Sequence, residues 1–142
     1  NAEIHKTALG GEDSVTWKYF EKTEDAVQQL QNDGYFVYSI EQVEGAMKLQ
    51  NLNESINISS DNNRQNDGLT TEQSRESISP TTYGHPRYAV IFGNEVKGVK
   101  QTVVDMCDGC LEIPQFGTKH SLNVSTTAGI VMWEFCKALA LK

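Results

Sequence analysis

Two stretches of the chain, FGNEVKGV (Phe92–Val99) and IPQFGTKHSLNVSTTAG (Ile113–Gly129), hold the residue types from which a ligand site could be built. In the first, Phe92 and Gly93 end an apolar run, and the bare glycine would let a ligand approach the backbone. Asn94 and Glu95 supply polar groups, and Gly98 permits a turn with positive φ. In the second, Ile113 and Pro114 end another apolar stub and Gly117 allows a bend. Ser121 or Asn123, on either side of Leu122, can then cap a helix whose exposed N–H groups face the same cleft. Thr126, Thr127, Ala128 and Gly129 keep the first turns of that helix slim enough for a flat ligand or another chain segment. A helix that only packs prefers Ala, Leu and Lys to Ser, Asn and Thr, so the run serves more than stability. Taken alone, each stretch also has a bland reading. Glu95 would be an exposed acid at the start of a helix, and Ser121 or Asn123 a plain cap.

The elements that must position these stretches follow from periodicity and punctuation. Val15–Phe20 (VTWKYF) reads as a short strand. A helix follows with Thr23 as N-cap, Glu24 and Asp25 in its first turn and Gly34 as its stop, and then a β-former run over Tyr35–Glu41. Strand, helix and strand in such close order make a βαβ unit and imply a parallel sheet. Tyr88–Gly93 is a buried-strand run, Lys100–Cys107 a short helix and Cys110–Pro114 a further strand. The last helix, Leu122–Leu139, carries Val124, Ala128, Val131, Phe135 and Leu139 on one apolar face. Met132 and Trp133 widen that surface toward a second partner such as another subunit, or form a half-covered rim. The expected fold is α/β, a mostly parallel sheet flanked by helices, in which ligands bind beyond the carboxyl ends of the strands.

Composition sets the bounds. The 142 residues, 38% hydrophobic, suit one domain spanning 1–142. Residues 51–82 are rich in Asn, Ser, Gln and Thr and hold only five aliphatic residues, too few to offset the entropy of ordering, so they read as a disordered insertion. Its five acids and two arginines carry −3 of the net charge of −7, so charge neither demands nor excludes a nucleic-acid partner. Lys97, Lys100 and Lys119 are candidates for phosphate contact.

Three cysteines without secretory context argue for reduced thiols in the cytoplasm, where the Asn-x-Ser sequons at Asn53, Asn57 and Asn123 carry no meaning. The CDGC at Cys107–Cys110 lacks the second pair that would make it a zinc site, so no metal is expected. No apolar run approaches the ~18 residues of a membrane span. A dinucleotide-binding reading fails because no G-x-G-x-x-G follows a strand.

The two opening stretches, extended to IFGNEVKGV and EIPQFGTKHSLNVSTTAGIVMWEF, resemble the second and third motifs of the SpoU-type RNA ribose 2′-O-methyltransferases of the SPOUT superfamily. HKTALGGEDSVTW (His5–Trp17) resembles the stretch that follows that family's first motif. The resemblance implies a C-terminal deep trefoil knot, an exception to the usual unknotted chain. It implies S-adenosylmethionine bound among the knot loops by Ile40, Phe92, Gly93, Asn94, Ile113, Pro114, Ser121, Leu122 and Asn123. It also implies a homodimer through the C-terminal helix, with tRNA or rRNA as substrate. By the same analogy Asn123, Ser121 and Glu95 are the candidate catalytic residues. The arginine and asparagine of the first motif, which assist removal of the ribose hydroxyl proton in the family, have no counterpart here. The expectation is therefore an N-terminally truncated methyltransferase domain. The alternative is a non-catalytic RNA-binding or dimer-scaffold member.

Overall fold

The computed structural model describes residues 14–56, 81–82, 85–94, 96–116 and 122–140. The sequence Phe36–Ile40 (β1) is almost uninterrupted in apolar residues, as suits a parallel strand covered on both faces, and Val37, Tyr38 and Ser39 are all buried. On one side β1 pairs with Tyr88–Phe92 (β5), in register from Phe36 opposite Tyr88 to Ile40 opposite Phe92. On the other it pairs with Gly109–Glu112 (β6), Tyr38 standing opposite Gly109. A two-residue strand, Met47–Lys48 (β2), adds to β6, so the order is β2-β6-β1-β5 and every pairing is parallel. Thr81–Thr82 (β3) and His85–Pro86 (β4) form a separate antiparallel hairpin just before β5. The α/β expectation with a mostly parallel sheet therefore holds.

Helix α1, Thr23–Asn32, has Glu24 and Asp25 in its first turn, where acids complement the helix dipole. Its N-cap position is Lys22 rather than the expected Thr23, and no side chain caps it. The chain leaves α1 through Gly34, at φ 79°, with the Tyr35 N–H donating back to the Leu30 carbonyl at 2.9 Å. Helix α2 is Gln101–Met106, and α3 is Val124–Ala140.

The helices divide the core between the two faces of the sheet. On one face Tyr38 and Leu111 are covered by Val131, Phe135 and Ala138 of α3. Leu49 of a 3-10 turn (Leu49–Asn51) and Leu52 and Ile56 of the helical residues 52–56 complete that layer. On the other face Val37 meets Val27 of α1 and Val103 of α2.

Three further expectations need correction. Val15–Phe20 forms no strand: Val15, Trp17 and Tyr19 are 65%, 80% and 77% exposed, because β-formers make a strand only where a neighbour pairs with them, and none does among the described residues. The insertion read as starting at residue 51 starts too early, since Leu52 and Ile56, four apart on a helical turn, are 1% and 2% exposed in the core; residues 57–80 lie outside the described residues. On α3 the inward position near the C-terminus is Ala138 rather than Leu139, which lies one residue further round the helix and is 42% exposed.

Candidate ligand pocket at the strand ends

The carboxyl ends of β1, β5 and β6 and the start of α3 converge on a cavity of about 500 Å³. That volume falls within the range of small-molecule sites, and the lining mixes apolar side chains with polar ones in similar measure. Ile40 at the end of β1, Phe92 at the end of β5, and Ile113 just beyond β6 supply apolar wall, joined by Leu122 and Val124 at the start of α3. Gly93 and Asn94 continue the β5 side, and Thr127 on α3 adds a hydroxyl.

Of the residues singled out in the sequence, Ile40, Phe92, Gly93, Asn94, Ile113 and Leu122 thus come together on one lining. Pro114 does not line it; its neighbour Gln115 does. Asn123 stands beside the lining and not in it. Its Oδ1 accepts the Ser125 N–H at 2.9 Å and the Ser125 hydroxyl, while its carbonyl accepts the Thr127 N–H at 2.9 Å and the Thr127 Oγ1 hydroxyl at 3.1 Å. These bonds cap α3, so the side chain is committed to the helix start. Glu95 and Ser121 lie outside the described residues.

The β5 side of the pocket is a tight turn. The Asn94 and Gly98 backbones exchange hydrogen bonds, with the Asn94 N–H donating at 3.2 Å and the Gly98 N–H at 2.8 Å. Asn94 Oδ1 also accepts the N–H groups of Val96 and Lys97, at 2.9 and 3.3 Å, so this side chain builds the turn. Gly98 takes φ 64°, as its sequence position suggested. Gly93 has a different use from the one expected. A Cβ there would lie 2.3 Å from the Gly98 carbonyl carbon and 2.5 Å from the Val99 nitrogen, so what approaches its bare backbone is the returning turn.

Sequence reasoning missed Glu41, Gln42 and Val43, which follow β1 into the lining; Val96, Val99 and Gln115 fall inside the two stretches without having been singled out, and Lys97, a phosphate candidate in the sequence, also lines the pocket. Glu41 and Lys97 are the charged residues of the described lining. The only signal for Glu41 was its place directly after a strand, where an acid is usually just solvated. The CDGC turn proves to join strands: Asp108 Oδ2 accepts the Val37 N–H at 2.8 Å while the Asp108 N–H donates to the Val37 carbonyl at 2.9 Å.

Among the described residues no helix is long and apolar enough to cross a membrane. On α3, away from the pocket, Met132 and Trp133 are 63% and 57% exposed.

Residues 1–133 match the model of the SpoU rRNA methylase family. Over 68 residues the chain is 37% identical to a tRNA (guanosine(18)-2′-O)-methyltransferase of Aquifex aeolicus, covering 46% of this chain and 32% of that protein. It is 41% identical over 54 residues to the 23S rRNA (guanosine-2′-O-)-methyltransferase RlmB of Neisseria meningitidis, which covers 38% of this chain and 22% of that one. A solved chain of the TrmH family from Porphyromonas gingivalis aligns with a TM-score of 0.49 at 18% identity, covering 82% of this chain and 35% of that one. The chain spans less than half the length of the curated relatives it matches, between 4% and 41% of each.

Proposed function

The chain belongs to the SpoU rRNA methylase family, and from that premise we propose that its strand-end pocket binds S-adenosylmethionine for methylation of a ribose 2′-hydroxyl in tRNA or rRNA. The observation that carries this reading is the coincidence of two independent things. The residues of the family-like second and third stretches, far apart in sequence, line one cavity, and its volume of about 500 Å³ suits a nucleoside carrying an amino-acid tail. The lining fits that group chemically. Ile40, Phe92, Ile113 and Leu122 offer apolar surface for a purine and a thioether, and Gln42 and Gln115 add polar side chains. The described lining holds one base, Lys97, and one acid, Glu41, without the cluster of bases that a row of phosphates would need.

When bound, S-adenosylmethionine supplies an electrophilic methyl on a sulfonium centre. The protein's part is to hold the acceptor ribose oxygen in line with that centre, which supplies much of the rate through orientation, and to provide a route for the hydroxyl proton. Asn123 and Ser121 remain the candidates for orienting the ribose, and Glu95 for a hydrogen bond to the neighbouring motif or the helix start. The hydrogen bonds of Asn123 within α3 favour a supporting role for it, in which it fixes the helix start from which Leu122 and Val124 reach the pocket.

The same reading includes the C-terminal trefoil knot and a homodimer. The exposed Met132 and Trp133, with Ile130 at 37% exposure, give α3 the apolar surface that a second subunit would cover. Titration calorimetry with S-adenosylhomocysteine tests the pocket, and one site per chain is expected. Transfer of a tritiated methyl group to tRNA or rRNA transcripts, followed by nucleoside analysis, tests the reaction. An absence of binding at millimolar ligand removes the cofactor assignment. RNA binding without methyl transfer favours the non-catalytic alternative.

A further inference from the structure

We propose that Glu41 is a positioning residue that latches the Gly93–Val99 side of the pocket onto the end of β1. Its role at the site proposed above is to set the shape the ligand meets. Glu41 directly follows β1, and its own N–H donates to the Leu111 carbonyl at 3.1 Å, so its backbone is fixed by the sheet. From there its carboxylate bridges to a segment 58 residues later in the chain. Oε2 accepts the Val99 N–H at 2.8 Å, while Oε1 accepts the N–H of Gln42 at 3.0 Å.

Gly98 leaves room for this contact. A Cβ at that position would sit 2.2 Å from Glu41 Oε2, so any side chain there evicts the carboxylate. The turn from Asn94 to Gly98 closes on itself through backbone bonds, and those bonds do not fix where the closed turn sits relative to β1. Within the pocket lining, the Glu41–Val99 bond joins the turn to the strand end by a charge-assisted contact, stronger than a neutral one. Glu41 also lines the pocket, so the group that sets the wall forms part of it.

The test uses the full chain with the substitutions Glu41→Ala, Glu41→Gln and Gly98→Ala, read by two methods. Amide hydrogen exchange in the ligand-free protein reports the latch directly. Protection of the Val99 N–H should fall about tenfold or more in Glu41→Ala and Gly98→Ala. It should be largely kept in Glu41→Gln, whose amide oxygen still accepts that bond. Calorimetry with S-adenosylhomocysteine should show the same ranking, with Kd raised about tenfold in the first two variants and by a few-fold at most in Glu41→Gln.

Val99 protection unchanged in a folded Glu41→Ala variant overturns the proposal. So does weakened protection with a wild-type Kd, which would leave Glu41 a local brace of no consequence for the pocket. If the unaltered protein binds no S-adenosylhomocysteine, the cofactor reading fails, and the exchange measurement still decides the latch. Should Glu41→Ala not fold, Glu41→Leu against Glu41→Gln makes the comparison, since Gly98→Ala at φ 64° also strains the turn itself.

Discussion

The two faces of the sheet are built to different depths. The face under α3 is a wide layer in which the Phe135 ring meets Tyr38 edge-on at 5.9 Å and Tyr88 at 5.6 Å, with Leu49, Leu52 and Ile56 closing its far side. The face under α1 and α2 has three fully buried apolar side chains, all valines, beside the buried Ser39. The pocket draws on both unequally. Ile40, Phe92 and Ile113 of its lining also pack against the α3-side core, whereas Val99 is its share of the other. The floor of the pocket is thus an outgrowth of the thick layer, and the thin layer supports mainly the turn.

Phe135→Ala probes this most severely. Truncating a core aromatic costs about 3 to 5 kcal/mol, so urea unfolding should show a large loss of stability. Affinity for S-adenosylhomocysteine, measured where the variant is still folded, should fall as well. Val103→Ala in the thin layer should cost about 2 kcal/mol and leave that affinity near wild type. If it weakens binding as much as Phe135→Ala does, the two layers are not divided as described.

A smaller effect appears with pH. Burial pushes the Tyr88 phenol up to about 12, and burial raises the Tyr38 phenol too. Between about pH 10 and 12 the unfolded chain releases these protons while the folded one keeps them, so stability present below pH 10 falls as pH rises. Urea midpoints at pH 9 and 11 should show that loss, and Tyr88→Phe should flatten it. The smallest change is expected from Ser39→Ala on the thin side. The Ser39 hydroxyl is fully buried with no hydrogen-bond partner in normal geometry among the described residues, although it lies near enough to the Cys107 thiol to temper the rise that burial imposes there. Removing it should be neutral or stabilise by up to about 1 kcal/mol in the same unfolding assay.

The thick and thin layers also differ in how far the sequence disclosed them. β1, β5, β6 and the helices were legible because buried parallel strands read as short apolar runs and α3 repeats with helical period. The strand ends that carry the pocket were legible for the same reason. Leu52 and Ile56 were not, because two aliphatic residues among Asn, Ser and Glu look like a loop. Their i,i+4 spacing was the available signal, and it was outweighed by composition. Val15–Phe20 failed in the opposite direction: alternation states a preference for a strand but not whether a neighbour is present to pair with it. Glu41 could not have been found from spacing, since nothing local connects it to an amide 58 residues away.

The bare Gly93 backbone lies against Gly98 and Val99, main chain on main chain, so that side of the pocket takes its outline from peptide units more than from side chains. Val96, 88% exposed on the turn, is in the lining but takes no part in that main-chain contact. Val43, Gln115 and Val96 are lining positions that can be substituted with this main-chain contact intact, so selectivity can be altered at a few residues around a largely fixed frame.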